Sequence, residues 1–178
     1  GIGGEDQTSA IANAIKEANE TGRELIFPPG YYDAVYFPEI TTSGVSIRGH
    51  GQNATYIRHT ASSGSTLRFT GQFPSVRDLT MWPLAYKSSG AEIEFLGTYR
   101  GSIENVLSQY HYIAFNIISC AAPQIVGSTT LYAHGDAHIA MSGSAGAVGA
   151  GLYVDRHSAN NPWPVDPTSF KAWALSTS

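Results

Sequence analysis

Hydrophobic positions along the chain change their period once. From Asp6 to Asn19 the apolar residues Ile11, Ala14, Ile15 and Ala18 recur at the i, i+3, i+4, i+7 spacing of one helical face, and Asp6 or Thr8 stands where a first turn is capped. Gly22 follows where such a helix would end. Beyond it the helical period vanishes, and short β-type runs stand between Gly, Pro, Asn and Ser turns. They predict strands at Glu24–Phe27, Tyr31–Val35, Val45–Arg48, Thr55–Arg58, Ser65–Phe69, Ser75–Met81, Ala91–Phe95, Gly101–Leu107, Tyr112–Ile117, Pro123–Gly127, Ala137–Met141 and Gly151–Val154. The small-residue stretch Gly143 to Gly151 loses the pattern, and the chain beyond His157 reads as a departing loop.

The runs fall into two series that overlay. Ser75-Val76-Arg77-Asp78-Leu79-Thr80 matches Ser102-Ile103-Glu104-Asn105-Val106-Leu107, with Gln124-Ile125-Val126 one interval later. Thr66-Leu67-Arg68-Phe69 precedes Glu92-Ile93-Glu94-Phe95, Ala114-Phe115-Asn116-Ile117 and His138-Ile139-Ala140-Met141. Offsets of 22 to 27 residues mark a solenoid whose repeats are each too small to bury their own apolar face. Several short strands per repeat with no helix between them make it a β-helix, of some six or seven rungs over 178 residues. A sandwich would give no reason for the two series to keep pace. The division expected is a capping helix over 1–23, rungs over 24–157 and a loop or linker over 158–178. With no second cap evident, the chain reads as part of a longer protein or as one covered by partner chains.

Composition narrows the function classes. Only 13% of residues are charged, and ten Lys+Arg against 14 Asp+Glu give a net charge of −4, so no basic field exists to hold nucleic acid. No apolar run approaches the roughly 20 residues of a membrane-spanning helix. The single Cys120 forms neither a disulfide framework nor a zinc cluster and reads as a small buried apolar residue. In place of charge stand Ser, Thr and 11% aromatic residues, ten of them Tyr, a surface suited to sugars.

Three segments carry a family resemblance. Glu5-Asp6-Gln7-Thr8-Ser9-Ala10-Ile11, Phe27-Pro28-Pro29-Gly30-Tyr31 and Val45-Ser46-Ile47-Arg48-Gly49-His50-Gly51 resemble the opening of pectate-lyase-like right-handed parallel β-helices, most of all the start of a phage tailspike or capsule-depolymerase body. The resemblance implies an N-terminal capping helix, a homotrimer, an extracellular or virion setting and a bacterial surface polysaccharide as substrate or receptor. The sequence departs from polygalacturonases, because Gly49-His50-Gly51 lacks their accompanying Asn-Thr-Asp and Asp-Asp motifs; His50 then occupies a turn. The calcium-binding aspartates of pectate lyases are also missing, so no cofactor or metal is expected.

Strand alternation points Leu67, Phe69, Ile93, Phe95, Phe115, Ile117, Ile139 and Met141 inward. It leaves two outward columns, Arg68–Glu94–Asn116–Ala140 and Thr66–Glu92–Ala114–His138, expected to face solvent. Glu92 and Glu94, i and i+2 on one face at about 7 Å, are the candidate carboxylate pair for glycoside hydrolysis, with Arg68 keeping Glu94 ionised and Glu92 free to act as the acid. The alternative is a solvated Glu–Arg ladder. In the first series Arg77 and Glu104 are expected to form a cross-rung ion pair and Asp78 with Asn105 an Asx-type ladder. Trp82, Tyr86, Tyr99, Tyr110, His111, Tyr112 and Tyr132 sit in the intervening loops; of these Trp82, Tyr110, His111 and Tyr112, with Arg68 and Asn116, are the expected substrate contacts. His134, Asp136 and His138, with Asp155 and His157 beyond, have strand spacing compatible with a metal, but solvated strand residues explain them as well. The function expected is recognition and carboxylate-based cleavage of a polysaccharide; the alternative is a non-catalytic glycan-binding or structural module of a virion fibre or adhesin.

Overall fold

A computed structural model describes residues 6–135, 137–150 and 153–154. The chain forms one helix and then a parallel β-solenoid. Helix α1 spans Thr8–Thr21 and buries Ile11, Ile15 and Ala18. Gln7 occupies its N-cap position without a side-chain bond, so neither expected residue caps it; Asp6 Oδ1 instead accepts the Thr8 amide at 3.0 Å and the Thr8 hydroxyl. These bonds lower the Asp6 pKa, the hydroxyl contributing most. Gly22 closes the helix in the left-handed conformation, its N–H donating to Ala18 O, as its position predicts.

The strands stack into three columns. The first holds β1 (Leu25–Ile26), β3 (Ser46–Arg48), the start of β6 (Ser75–Met81), the start of β8 (Ser102–Gln109), β10 (Gln124–Val126) and β13 (Val148–Ala150). The second holds β2 (Gly30–Ala34), β4 (Thr55–His59), the ends of β6 and β8, β11 (Thr129–Leu131) and β14 (Tyr153–Val154). The third runs from an isolated bridge at Ile40 through β5 (Leu67–Phe69), β7 (Ala91–Leu96), β9 (Ile113–Ile118) and β12 (Ala137–Ser142). The described residues thus complete five rungs and begin a sixth.

Register confirms both sequence series. Ile47, Val76, Ile103 and Ile125 are successive partners, as are Leu67, Ile93, Phe115 and Ile139, and Phe69, Phe95, Ile117 and Met141. These stacks are the core, and each buried Leu, Ile or Phe contributes about 1.5–3 kcal/mol. The period is wider than expected: partners lie 22 residues apart at Leu25↔Ile47 and 29 at Ile47↔Val76. Two strands carry no apolar alternation and were not expected. Thr129–Leu131 pairs with β8, and Val148–Ala150 pairs with β10, so the stack continues through the small-residue stretch.

Corners are made by left-handed residues that also stack. Asp78, Asn105 and Gly127 divide the first column from the second, with φ of 58°, 51° and 58°. Asn105 Nδ2 donates to Asp78 Oδ1 at 2.7 Å, the expected Asx ladder. Arg100, Ala122 and Gly146 do the same beyond the third column, with φ of 50°, 52° and 66°. Gly49 is required for another reason: a Cβ there would collide with the Asp78 carbonyl of the next rung.

Candidate functional site

The corner between the second and third columns gathers the chemically useful side chains. Tyr31 and Tyr56, within β2 and β4 of the second column, and Trp82, Tyr110 and Tyr132, at the corner just beyond it, come from five successive rungs and form one continuous ladder. Tyr31 stacks on Tyr56 at 4.7 Å between centroids, Tyr56 meets Trp82 and Trp82 meets Tyr110 at 6.1 Å each, and Tyr110 stacks on Tyr132 at 4.8 Å. The planes are nearly parallel at both ends but tilt by 55° and 33° around Trp82. Where rings lie parallel their faces cover one another and their rims and hydroxyls remain available; the tilt at the indole leaves part of its face open. Tyr31 is 45% exposed, while the other four are half-buried. Burial, with Tyr132 beside it, raises the Tyr110 pKa, so its phenol stays protonated as a hydrogen-bond donor.

Arg68, Glu94 and Asn116 stand in register on the outer face of the third column, as alternation predicts. Arg68 Nε lies 3.1 Å from Glu94 Oε1, and Asn116 Nδ2 donates to Glu94 Oε2 at 2.9 Å. The Glu94 side chain is 12% exposed.

The neighbouring column does not face solvent. Thr66, Glu92 and Ala114 are fully buried, covered by the chain that joins the columns. Glu92 is not a free acid, because Lys87 is buried against it at 0% exposure for both. Lys87 Nζ lies 3.0 Å from Glu92 Oε1, an ion contact without hydrogen-bond alignment, and donates to Gly64 O at 3.0 Å and Thr66 Oγ1 at 2.8 Å. Thr66 in turn donates to Glu92 Oε2 at 2.8 Å. Sequence alternation fixed the direction in which Glu92 points but not the lid above it.

Histidines complete this buried cluster. His59 Nε2 donates to Val35 O at 3.0 Å, which leaves Nδ1 unprotonated and 3.2 Å from Thr66 Oγ1. His111 is fully buried, with Nδ1 at 3.1 Å from Ser108 Oγ and Nε2 at 3.3 Å from His138 Nδ1. His134 Nε2 donates to Lys87 O at 2.9 Å, and its ring stacks on Tyr86 at 4.1 Å. Burial is the leading cause that lowers the pKa of His59 and His134 and drives that of His111 well below the ordinary histidine value. The Lys87 charge pushes in the same direction, and for His111 so do His138 and His134. All three are neutral at pH 7.

Other expectations divide. His111 and Tyr112 join the cluster, Tyr112 meeting His134 edge-on at 6.2 Å. Tyr99 does not: it sits at the opposite corner against Phe73. Arg77 and Glu104 are register partners, yet Arg77 Nη2 pairs with Glu24 at 3.1 Å, where Arg48 also converges. Among the described residues no group of three His, Cys, Asp or Glu side chains is placed to hold a metal; Asp136, Asp155 and His157 lie outside the described residues. Cys120 is a free, buried thiol.

No protein-family model matches the chain, and no curated protein matches it in sequence. Among solved structures it is similar to a candidate glycosyl hydrolase from Parabacteroides merdae ATCC 43184, with a TM-score of 0.57 and 13% identity over 85% of this chain and 90% of the other. At that identity the likeness is one of fold.

Proposed function

We propose that this β-solenoid binds a polysaccharide along the second column and the corner beyond it. The observation that carries the reading is the five-rung aromatic ladder from Tyr31 to Tyr132, which repeats at the rung spacing and offers a row of hydroxyls beside one tilted indole face. A linear glycan laid along the axis would meet an equivalent aromatic rim at each rung, with Asn116 and Arg68 available on the adjoining face. The fold neighbour, a candidate glycosyl hydrolase, supports a carbohydrate ligand. Affinity electrophoresis against a panel of capsule and O-antigen polysaccharides tests it. Tyr110→Ala combined with Trp82→Ala is expected to weaken retention about tenfold or more while the folded spectrum persists. Unchanged retention in that variant would refute the ladder as the binding surface.

Cleavage is the second reading, favoured by the partly exposed Glu94 carboxylate standing between Arg68 and Asn116 on the outer face of the third column. Glu94, bonded to Asn116 and Arg68, would contact the substrate; Glu92 could serve as an acid only if Lys87 moved away. Reducing-end release that disappears in Glu94→Gln supports this reading, and binding with no product rejects it. The finer setting, a homotrimeric, extracellular, tailspike-type protein of a virion, is part of the same proposal; a monomeric mass by light scattering would count against it.

A further inference from the structure

We propose that the glycan held by this solenoid is neutral, carrying no uronate, sialate, sulfate or phosphate group; the inference rests on the binding reading above. A polyanion needs unpaired cations along its path. Among the described residues, every lysine and arginine on the second and third columns and the chain between them is already held by a carboxylate. Arg58, whose guanidinium lies 4.5 Å over the Tyr31 ring, is clamped by Asp33 through two charge-assisted bonds of 2.5 and 2.7 Å. Lys87 is sealed against Glu92 with its other donors on Gly64 and Thr66. Arg68 pairs with Glu94 at 3.1 Å and has Glu39 at 3.9 Å.

Among the described residues these three cations face four carboxylates, Asp33, Glu39, Glu92 and Glu94, so the local charge they make is negative. Buried His59 and His111 and half-buried His134, all neutral, add no charge to offset it. Elsewhere Arg48 and Arg77 share Glu24, and Arg100 lies over Tyr99 at the far corner. An acidic chain laid on the ladder would meet repulsion at Glu39 and Glu94 and no compensating partner, whereas a neutral one needs only hydroxyl contacts and C–H packing.

The test uses the full chain and two sets of polymers, neutral (mannan, galactan, dextran) and anionic (polygalacturonate, alginate, hyaluronan), at low and high NaCl. Expected is retention by a neutral polymer that salt does not change, with every anionic polymer at least about tenfold weaker. A charge-exposing variant sharpens the test: Glu94→Gln leaves Arg68, already 45% exposed, without its nearest carboxylate. It should gain affinity for the anionic polymers, and high NaCl should abolish that gain. Wild-type retention by an anionic polymer equal to or above the best neutral one would overturn the charge class while leaving glycan binding intact. Retention by no polymer would overturn both, and Glu94→Gln with no anionic gain would overturn the role given to the Arg68 pairing.

Discussion

Removing one partner of the Lys87–Glu92 pair should be far more harmful than removing both. In Lys87→Met the carboxylate of Glu92 stays at 0% exposure with only the Thr66 hydroxyl bonded to it. Two unit charges 3.0 Å apart attract by about 5–6 kcal/mol at an effective dielectric of about 20, and single removals from buried pairs cost about 3–5 kcal/mol. For a chain of this length that corresponds to a fall in melting temperature of about 6–20 °C. Glu92→Leu, which strands the ammonium instead, should cost a similar amount. Lys87→Met/Glu92→Leu loses only the hydrogen bonds to Gly64 and Thr66, about 1–2 kcal/mol, so the coupling energy of the cycle should exceed about 2 kcal/mol. Thermal unfolding followed by circular dichroism reads all four proteins. If Lys87→Met melts within about 2 °C of the parent, or if the two losses simply add, then Glu92 is hydrated and the corner is not the sealed cluster described.

Two further outcomes follow from the corners and the histidines. The folded pKa values of His59, His111 and His134 lie below the unfolded value of 6.5, so the unfolded chain binds protons more readily. Their stabilising effect is complete above that value and drains away as pH falls through it toward the lowered folded values; melting temperature should drop between neutral pH and about pH 5, above the carboxylate range, and His111→Gln should flatten the slope. A flat profile in the parent would contradict neutral burial of these rings. Ala122→Gly relieves a left-handed corner residue at the position where the next rung has Gly146, and should stabilise by about 0.5–1 kcal/mol; a lower urea midpoint would show that the corner carries no strain.

The fold was largely legible because alternation and repeat coincide in the same residues. Leu67/Phe69, Ile93/Phe95 and Phe115/Ile117 declare inward faces on their own, and their offsets declare the stack. Thr129–Leu131 and Val148–Ala150 gave no such sign, since small or polar residues there are placed by backbone pairing to the previous rung. Lys87 stayed hidden because a lysine among Ser88, Ser89 and Gly90 reads as solvated surface. The available clue was length: the 82–90 segment is longer than the corners at 110–112 and 132–136, and the excess must fold over something. The aromatic ladder was readable in principle, because Tyr31, Tyr56, Trp82, Tyr110 and Tyr132 recur at 25, 26, 28 and 22 residues, close to the strand period itself.

That uneven corner length has an evolutionary side. Each rung spends the same five residues between its third column and the next first column (70–74, 97–101, 119–123 and 143–147) and takes up its slack at the other two corners, so residues inserted near the exposed Ser62 and Ser63 would lengthen a surface arch without shifting any core register. Doubling such an arch costs only about 0.6 kcal/mol of closure entropy. New ligand chemistry acquired at this corner therefore leaves the strand register alone but has to be fitted to the neighbouring rung, because Ser62 O accepts the Ser88 amide and Gly64 O holds Lys87.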